Sequence, residues 1–165
     1  MLDRVLAARI KDYAPRDQVE QENVLQEIMQ HYVLASLSRS GLFAKALFHG
    51  GTCLRILYGT TRFSEDLDFL LKVPDRDFRW EPHLERVRRD CALEGIDFEV
   101  QDRSRVERAV RAAFLKTDSI GKIIDVELPF ERYRGRKLRI KLEIDTNPPA
   151  GSRFVGRWGW HCRGC

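Results

Sequence analysis

Residues 48–69 read Phe-His-Gly-Gly-Thr-Cys-Leu-Arg-Ile-Leu-Tyr-Gly-Thr-Thr-Arg-Phe-Ser-Glu-Asp-Leu-Asp-Phe. A Gly-Gly-Thr turn opens a short helix over 52–58 that Gly59 stops, and Asp66 to Val73 reads as a strand ended by Pro74. Side chains alternate between the faces of a strand, so Asp66 and Asp68 share one face with Cα atoms about 7 Å apart. Leu67, Phe69 and Leu71 take the other face and belong in a core. Two acids so placed can bridge a pair of divalent ions, as two-metal phosphoryl transfer requires. Mg²⁺ (or Mn²⁺) is the expected occupant, because it takes carboxylate, water and phosphate oxygens.

The glycines contribute differently. Gly50 and Gly51 permit a tight turn and close approach of a ligand to the backbone. Thr52 at the helix start leaves N–H groups facing outward, which suits a phosphate chain. Arg62 and Ser64 precede the acidic strand and can add hydrogen bonds to the same phosphates. A third carboxylate is expected from Lys137–Asp145. There Lys141, Glu143 and Asp145 lie on one face and Ile140, Leu142 and Ile144 on the other. Glu143 or Asp145 could also accept the proton of an attacking hydroxyl, and Lys141 joins the nucleotide-binding set. Each piece alone has a plainer reading, as a loop or a solvated strand face. Their order within about 20 residues, on a strand anchored by an apolar face, points to a site handling a nucleoside triphosphate.

The rest of the 165 residues supports one compact core. A chain of this size buries roughly two-thirds of its unfolded surface. The hydrophobic share is 43% and the net charge +4, which permits nucleic-acid contact without demanding it. No apolar run can span a bilayer and no signal peptide is visible, so a cytoplasmic protein is expected. Helices are expected over 1–12 and over 17–39, the latter with Asp17 as N-cap and Glu20 completing a capping box. A strand is expected over 43–48, and a helix from Pro82 with Leu84, Val87, Cys91 and Leu93 inward and Gly95 as its C-cap. Ile96–Asp102 alternates as a strand, 105–116 suits helix or strand, and 120–128 is expected to form a hairpin with 137–145. Tyr13, Tyr32, Tyr58 and most of the nine Phe fit core positions.

Three lesser features have plain readings. Arg132, Arg134, Arg136, Lys137, Arg139 and Lys141, with Arg86, Arg88 and Arg89, could meet RNA phosphates, but a solvated face is the simpler role. His49 is better suited to a structural hydrogen bond than to a phosphate. Cys53 and Cys91 read as small core residues. Cys162 and Cys165, preceded by His161, have the spacing of half a zinc site or of a redox pair, with no second Cys/His pair to complete a zinc site.

His49-Gly50-Gly51-Thr52-Cys53-Leu54-Arg55 followed by Arg62-Phe63-Ser64-Glu65-Asp66-Leu67-Asp68-Phe69 resembles the signature of the AbiEii/AbiGii-type nucleotidyltransferase toxins, within the DNA polymerase β-like superfamily. Lys141-Leu142-Glu143-Ile144-Asp145 is similar to that family's later acidic strand. The resemblance implies an α/β (α+β) fold, a mixed β-sheet flanked by helices, with a nucleotidyltransferase core over 1–150. It implies transfer of a nucleoside monophosphate from a nucleoside triphosphate to RNA such as tRNA, or to protein, with Mg²⁺, by a toxin paired with an antitoxin. It places Gly51 and Thr52 on the triphosphate, Asp66 and Asp68 on metal, and Glu143 at the later acidic position with Asp145 close behind. Relatives usually continue into a mostly helical C-terminal half. Residues 151–165 instead read as an irregular tail, such as truncation or a frameshift leaves. The alternative expectation is therefore an inactive remnant that binds nucleotide, antitoxin or RNA.

Overall fold

The computed structural model describes residues 2–105, 108–117, 130 and 137–149, with the backbone alone described at 2–7. Five helices and five strands are described: α1 Leu2–Tyr13, α2 Gln18–Arg39, α3 Leu42–Lys45, β1 Ala46–His49, α4 Gly50–Tyr58, β2 Asp66–Leu71, α5 Glu81–Leu93, β3 Glu99–Asp102, β4 Val110–Thr117 and β5 Leu138–Asp145. The strands form one mixed sheet in the order β1-β2-β5-β4-β3. The β2–β5 pair is parallel, and the other three pairs are antiparallel. This is the mixed α/β architecture expected of the sequence.

Each strand's alternation decides its two faces. Along β2 the burial alternates, with Leu67, Phe69 and Leu71 inside and Asp66, Asp68 and Leu70 half-exposed. Along β5, Leu138, Ile140, Leu142 and Ile144 are inside. These side chains pack with Ala113 and Leu115 of β4 and with Val24, Ile28, Val33 and Leu37 of α2 in one core. Phe69 is its aromatic centre, with ring centroids 5.5 Å from Phe48, 5.9 Å from Trp80 and 6.1 Å from Phe43. Trp80 is wholly buried, and its indole N–H is satisfied by the Arg111 carbonyl at 3.1 Å.

Helix α2 starts where the sequence says it should. The Asp17 side chain accepts from the Glu20 N–H at 2.8 Å. The return half of the capping box is shifted by one residue, because the Glu20 carboxylate accepts from the N–H and guanidinium of Arg16 rather than from Asp17. The helix is buried nearly all round, and Gln21, Glu27 and Gln30 are buried with the apolar residues. Its polar side chains therefore hold other segments: Gln21 exchanges two hydrogen bonds with the Phe130 backbone, both 3.0 Å.

Several expectations are corrected. The 43–48 strand begins only at Ala46, because Gly41 at φ +80° turns the chain into the short helix α3 first. Helix α4 starts at Gly50, two residues early. Leu93 is 82% exposed, since at 3.6 residues per turn it lies on the side of α5 opposite the buried Leu84, Val87 and Cys91, and Tyr58 is 59% exposed on the outer side of α4. Tyr13 is 39% exposed, with its hydroxyl donating to Glu27. The undecided segment 105–116 holds all but the last residue of β4, the eight-residue strand Val110–Thr117. β5 has β4 along one edge and β2 along the other from Lys141, so over Lys141–Asp145 it has no free edge for a hairpin partner. Residues 120–128 and the 151–165 tail, with His161, Cys162 and Cys165, lie outside the described residues.

Candidate active site

The acidic face is assembled by register. In the parallel β2–β5 pair, Asp66 stands beside Lys141 and Asp68 beside Glu143. Adjacent strands lie about 4.8 Å apart, so Asp68 and Glu143 are direct neighbours on the open face. On the other side of β2, His49 of β1 stands opposite Asp68. Asp145 pairs with Leu70, one step beyond the acidic pair, and its carboxylate accepts from the Asn147 N–H at 2.9 Å. The register thus favours Glu143 as the third carboxylate and gives Asp145 a turn-forming role at the strand end.

Burial pushes the Asp68 carboxyl above the ordinary carboxylate range, and the nearby Asp66 and Glu143 add to the rise while His49 and Lys141 oppose it. Lys141 is the local counter-charge. Its ammonium lies 3.0 Å from Glu143 and 3.6 Å from Asp66, and the Glu143 contact raises its pKa. The His49 side chain forms no hydrogen bond among the described residues; it stands beside Asp68 rather than making the structural bond expected.

The Gly-Gly turn sits directly on this face. Gly50 has φ +81°, and a Cβ built there would lie 2.3 Å from Asp68 Oδ2. A Cβ on Gly51 would lie 2.9 Å from Ser64 Oγ. A side chain at either position would force the Asp68 carboxylate or the Ser64 hydroxyl to shift. His49, at the N-cap, supplies no side-chain cap, so the leading amides of α4 have the anion-binding character of an uncapped helix start. Thr52 is buried, and its hydroxyl donates to the Asp66 carbonyl at 2.5 Å. Its side chain therefore fixes the acidic strand to the helix, leaving the backbone as its means of meeting a phosphate.

The loop from Thr60 to Glu65 joins these two elements, and sequence reasoning missed what holds it. Arg55 of α4 forms an ion pair with Glu27 of α2 and donates to the Thr60 and Thr61 carbonyls, both at 2.9 Å. Its guanidinium carbon lies 3.7 Å over the Phe63 ring. Gln30 donates to the Ser64 and Glu65 carbonyls at 2.9 and 3.0 Å. Glu27 and Gln30 share one helix face by their spacing. Nothing in the sequence says what that face meets. Arg62 remains exposed, with no hydrogen bond or ion pair among the described residues.

With this geometry in place, comparison with known proteins is direct. Residues 32–156 match the model of the family described as "Nucleotidyl transferase AbiEii toxin, Type IV TA system". The chain belongs to the AbiEii family. No curated protein matches it. Among solved structures, one provisionally described as a nucleotidyltransferase from H. pylori aligns with a TM-score of 0.48 at 19% identity, over 74% of this chain and 44% of that one. The chain thus spans less than half the length of that structure.

The AbiEii match includes the Gly-Gly turn, the acidic pair and Glu143. The oxygen-only chemistry of Asp66, Asp68 and Glu143 suits Mg²⁺. Among the described residues, however, no three such side chains are already converged on one point, and Lys141 lies between two of them. The expected basic surfaces are largely engaged. Arg86 and Arg88 pair with Asp90 and Glu85, Lys137 with Glu99, and Arg139 lies 4.1 Å over Phe114. Arg132, Arg134 and Arg136 lie outside the described residues. No described helix is long and apolar enough to cross a membrane.

Proposed function

We propose that this AbiEii chain is a cytoplasmic toxin that transfers a nucleoside monophosphate from a nucleoside triphosphate to a hydroxyl of RNA, such as tRNA, or of protein, and that an antitoxin restrains it. The observation that carries this reading is the close packing of Gly50 on Asp68, with Glu143 on the adjoining strand. It brings an uncapped helix start and a set of carboxylates to one place. The amides of Gly51 and Thr52, with Arg62, Ser64 and Lys141, bind the triphosphate. Mg²⁺ (or Mn²⁺) held by Asp66, Asp68 and Glu143 supplies positive charge where negative charge gathers on the phosphates. The acceptor oxygen attacks the α-phosphorus, the bond from that phosphorus to the bridging oxygen breaks, and pyrophosphate leaves. Glu143, or Asp145 beyond it, takes the acceptor's proton.

The test is an Asp66→Ala/Asp68→Ala double variant incubated with labelled nucleoside triphosphates and Mg²⁺. Wild type labels RNA or protein and the variant does not. Equal labelling by both sinks the proposal.

The Lys141 ammonium between Asp66 and Glu143 favours a second reading, a nucleotide-binding protein without turnover. An internal cation at that position neutralises the acids without a metal. Calorimetry with each triphosphate and Mg²⁺ separates the two: binding with no transfer selects the second reading, and no binding removes both.

A further inference from the structure

We infer that Glu27 and Arg55, braced by Tyr13, form a positioning unit that holds the Thr60–Glu65 loop and so presents Arg62 and Ser64 to the ligand without touching it. The inference rests on the nucleotide-binding reading above for what the loop does. It rests on geometry alone for what holds the loop.

Three independent contacts converge on Arg55. Its side chain is 13% exposed and that of Glu27 is 7% exposed, so this is a desolvated pair. A buried guanidinium keeps its place only with its donors engaged. One is directed at Glu27 and another reaches the two adjacent carbonyls of Thr60 and Thr61. The flat face of the group covers Phe63. A planar fork with a stacking face can do all three together, and an ammonium cannot. Glu27 is fixed in turn by the Tyr13 hydroxyl from α1.

The far end of the loop is held from the same helix. Gln30 takes the Ser64 and Glu65 carbonyls, and Gln26 reaches the Arg139 carbonyl of β5 at 2.7 Å. The loop is thus gripped on both sides of Arg62, whose side chain is exposed and has no hydrogen bond or ion pair among the described residues. Tyr13, Gln26, Glu27 and Gln30 all precede residue 32, where the family match begins. The stretch before the matched region therefore supplies the frame for the motif's loop.

A positioning role predicts effects that pass through Arg62. Trypsin acting on the native chain reports loop opening as cleavage after Arg62, since a held loop must open locally before it is cut. Arg55→Lys keeps the charge but loses the fork. We expect its cleavage after Arg62 to be about tenfold faster than wild type and its triphosphate affinity with Mg²⁺ about tenfold weaker, as loss of charged hydrogen bonds implies. In an Arg62→Ala background the same Arg55→Lys change should weaken affinity by less than about twofold, because coupled residues are non-additive. Tyr13→Phe removes only the brace and should speed cleavage by about two- to threefold, which keeps the test available if Arg55→Lys does not fold. Wild-type cleavage rates in both Arg55→Lys and Tyr13→Phe overturn the inference, as does an undiminished affinity loss in the Arg62→Ala background. If wild type binds no triphosphate, the functional reading falls, and the cleavage rates alone still decide whether the pair holds the loop.

Discussion

The two faces of β2 and β5 are built from the same residues in alternation, yet they obey opposite rules. One face carries Leu67, Phe69, Leu71, Leu142 and Ile144 and is closed by α2 and α5. The other carries Asp66, Asp68, Lys141, Glu143 and Asp145, all half-exposed. The first face gains from burial at roughly 25 cal/mol per Å² of apolar area. The second crowds like charges and opposes its own assembly. The comparison teaches that the apolar face fixes the register and the acidic face accepts it. A slip of one residue would turn every acid into the core.

The largest break in this comparison is on the closed face. Phe69→Ala empties the centre of the aromatic cluster and should cost about 3–5 kcal/mol, read as a fall in denaturant midpoint with unchanged slope. If the open face held the register, the loss would be much smaller. Next is Gly50→Ala, where the two faces meet the helix. A left-handed backbone costs a residue with Cβ about 1–2 kcal/mol, and the added methyl also meets the Asp68 carboxylate. Triphosphate affinity should fall at least about tenfold, the consequence of roughly 1.4 kcal/mol lost at the site. Wild-type binding by this variant would separate the helix start from the acidic face.

The smallest effect has the opposite sign. Asp68 holds its proton more tightly when folded than when unfolded, because burial raises its pKa. The folded state therefore bears a penalty that is absent below the unfolded carboxylate pKa. It grows as pH rises through the window between that value and the raised folded one. Asp68→Asn should raise the stability at neutral pH, read as a higher melting temperature, by less than about 1 kcal/mol for a half-exposed, solvent-screened group. The gain should vanish in acid. Destabilisation at neutral pH would mean that the Asp68 charge is already compensated by Lys141 and His49.

The candidate site was legible to different depths. Asp66, Asp68 and Glu143 were readable because alternation assigns a face without knowledge of neighbours. The Asp17 cap and the Gly59 stop were readable because they depend on local backbone geometry. Thr52 was readable as a helix-start residue but not as the side chain that ties α4 to the Asp66 carbonyl. Glu27 and Arg55 were not readable as a pair, since 28 residues separate them and neither sits in a pattern that names its partner. Leu93 was misplaced because it lies half a turn away from the stripe that Leu84, Val87 and Cys91 form, so the helical period itself puts it outside. β5 shows a similar limit: alternation marks a strand without saying which edges are taken, and over Lys141–Asp145 both are occupied by β2 and β4.

By itself, then, the sequence determined the elements, the faces of the strands and the kind of chemistry the 48–69 stretch can support, because these follow from short-range periodicity and residue type. Only the tertiary structure decided that β5 lies parallel to β2 with Glu143 beside Asp68, that Lys141 intervenes, and that α2 holds the loop bearing Arg62. Those are long-range pairings. They are fixed by which apolar faces bury best against one another, and no local pattern encodes that choice.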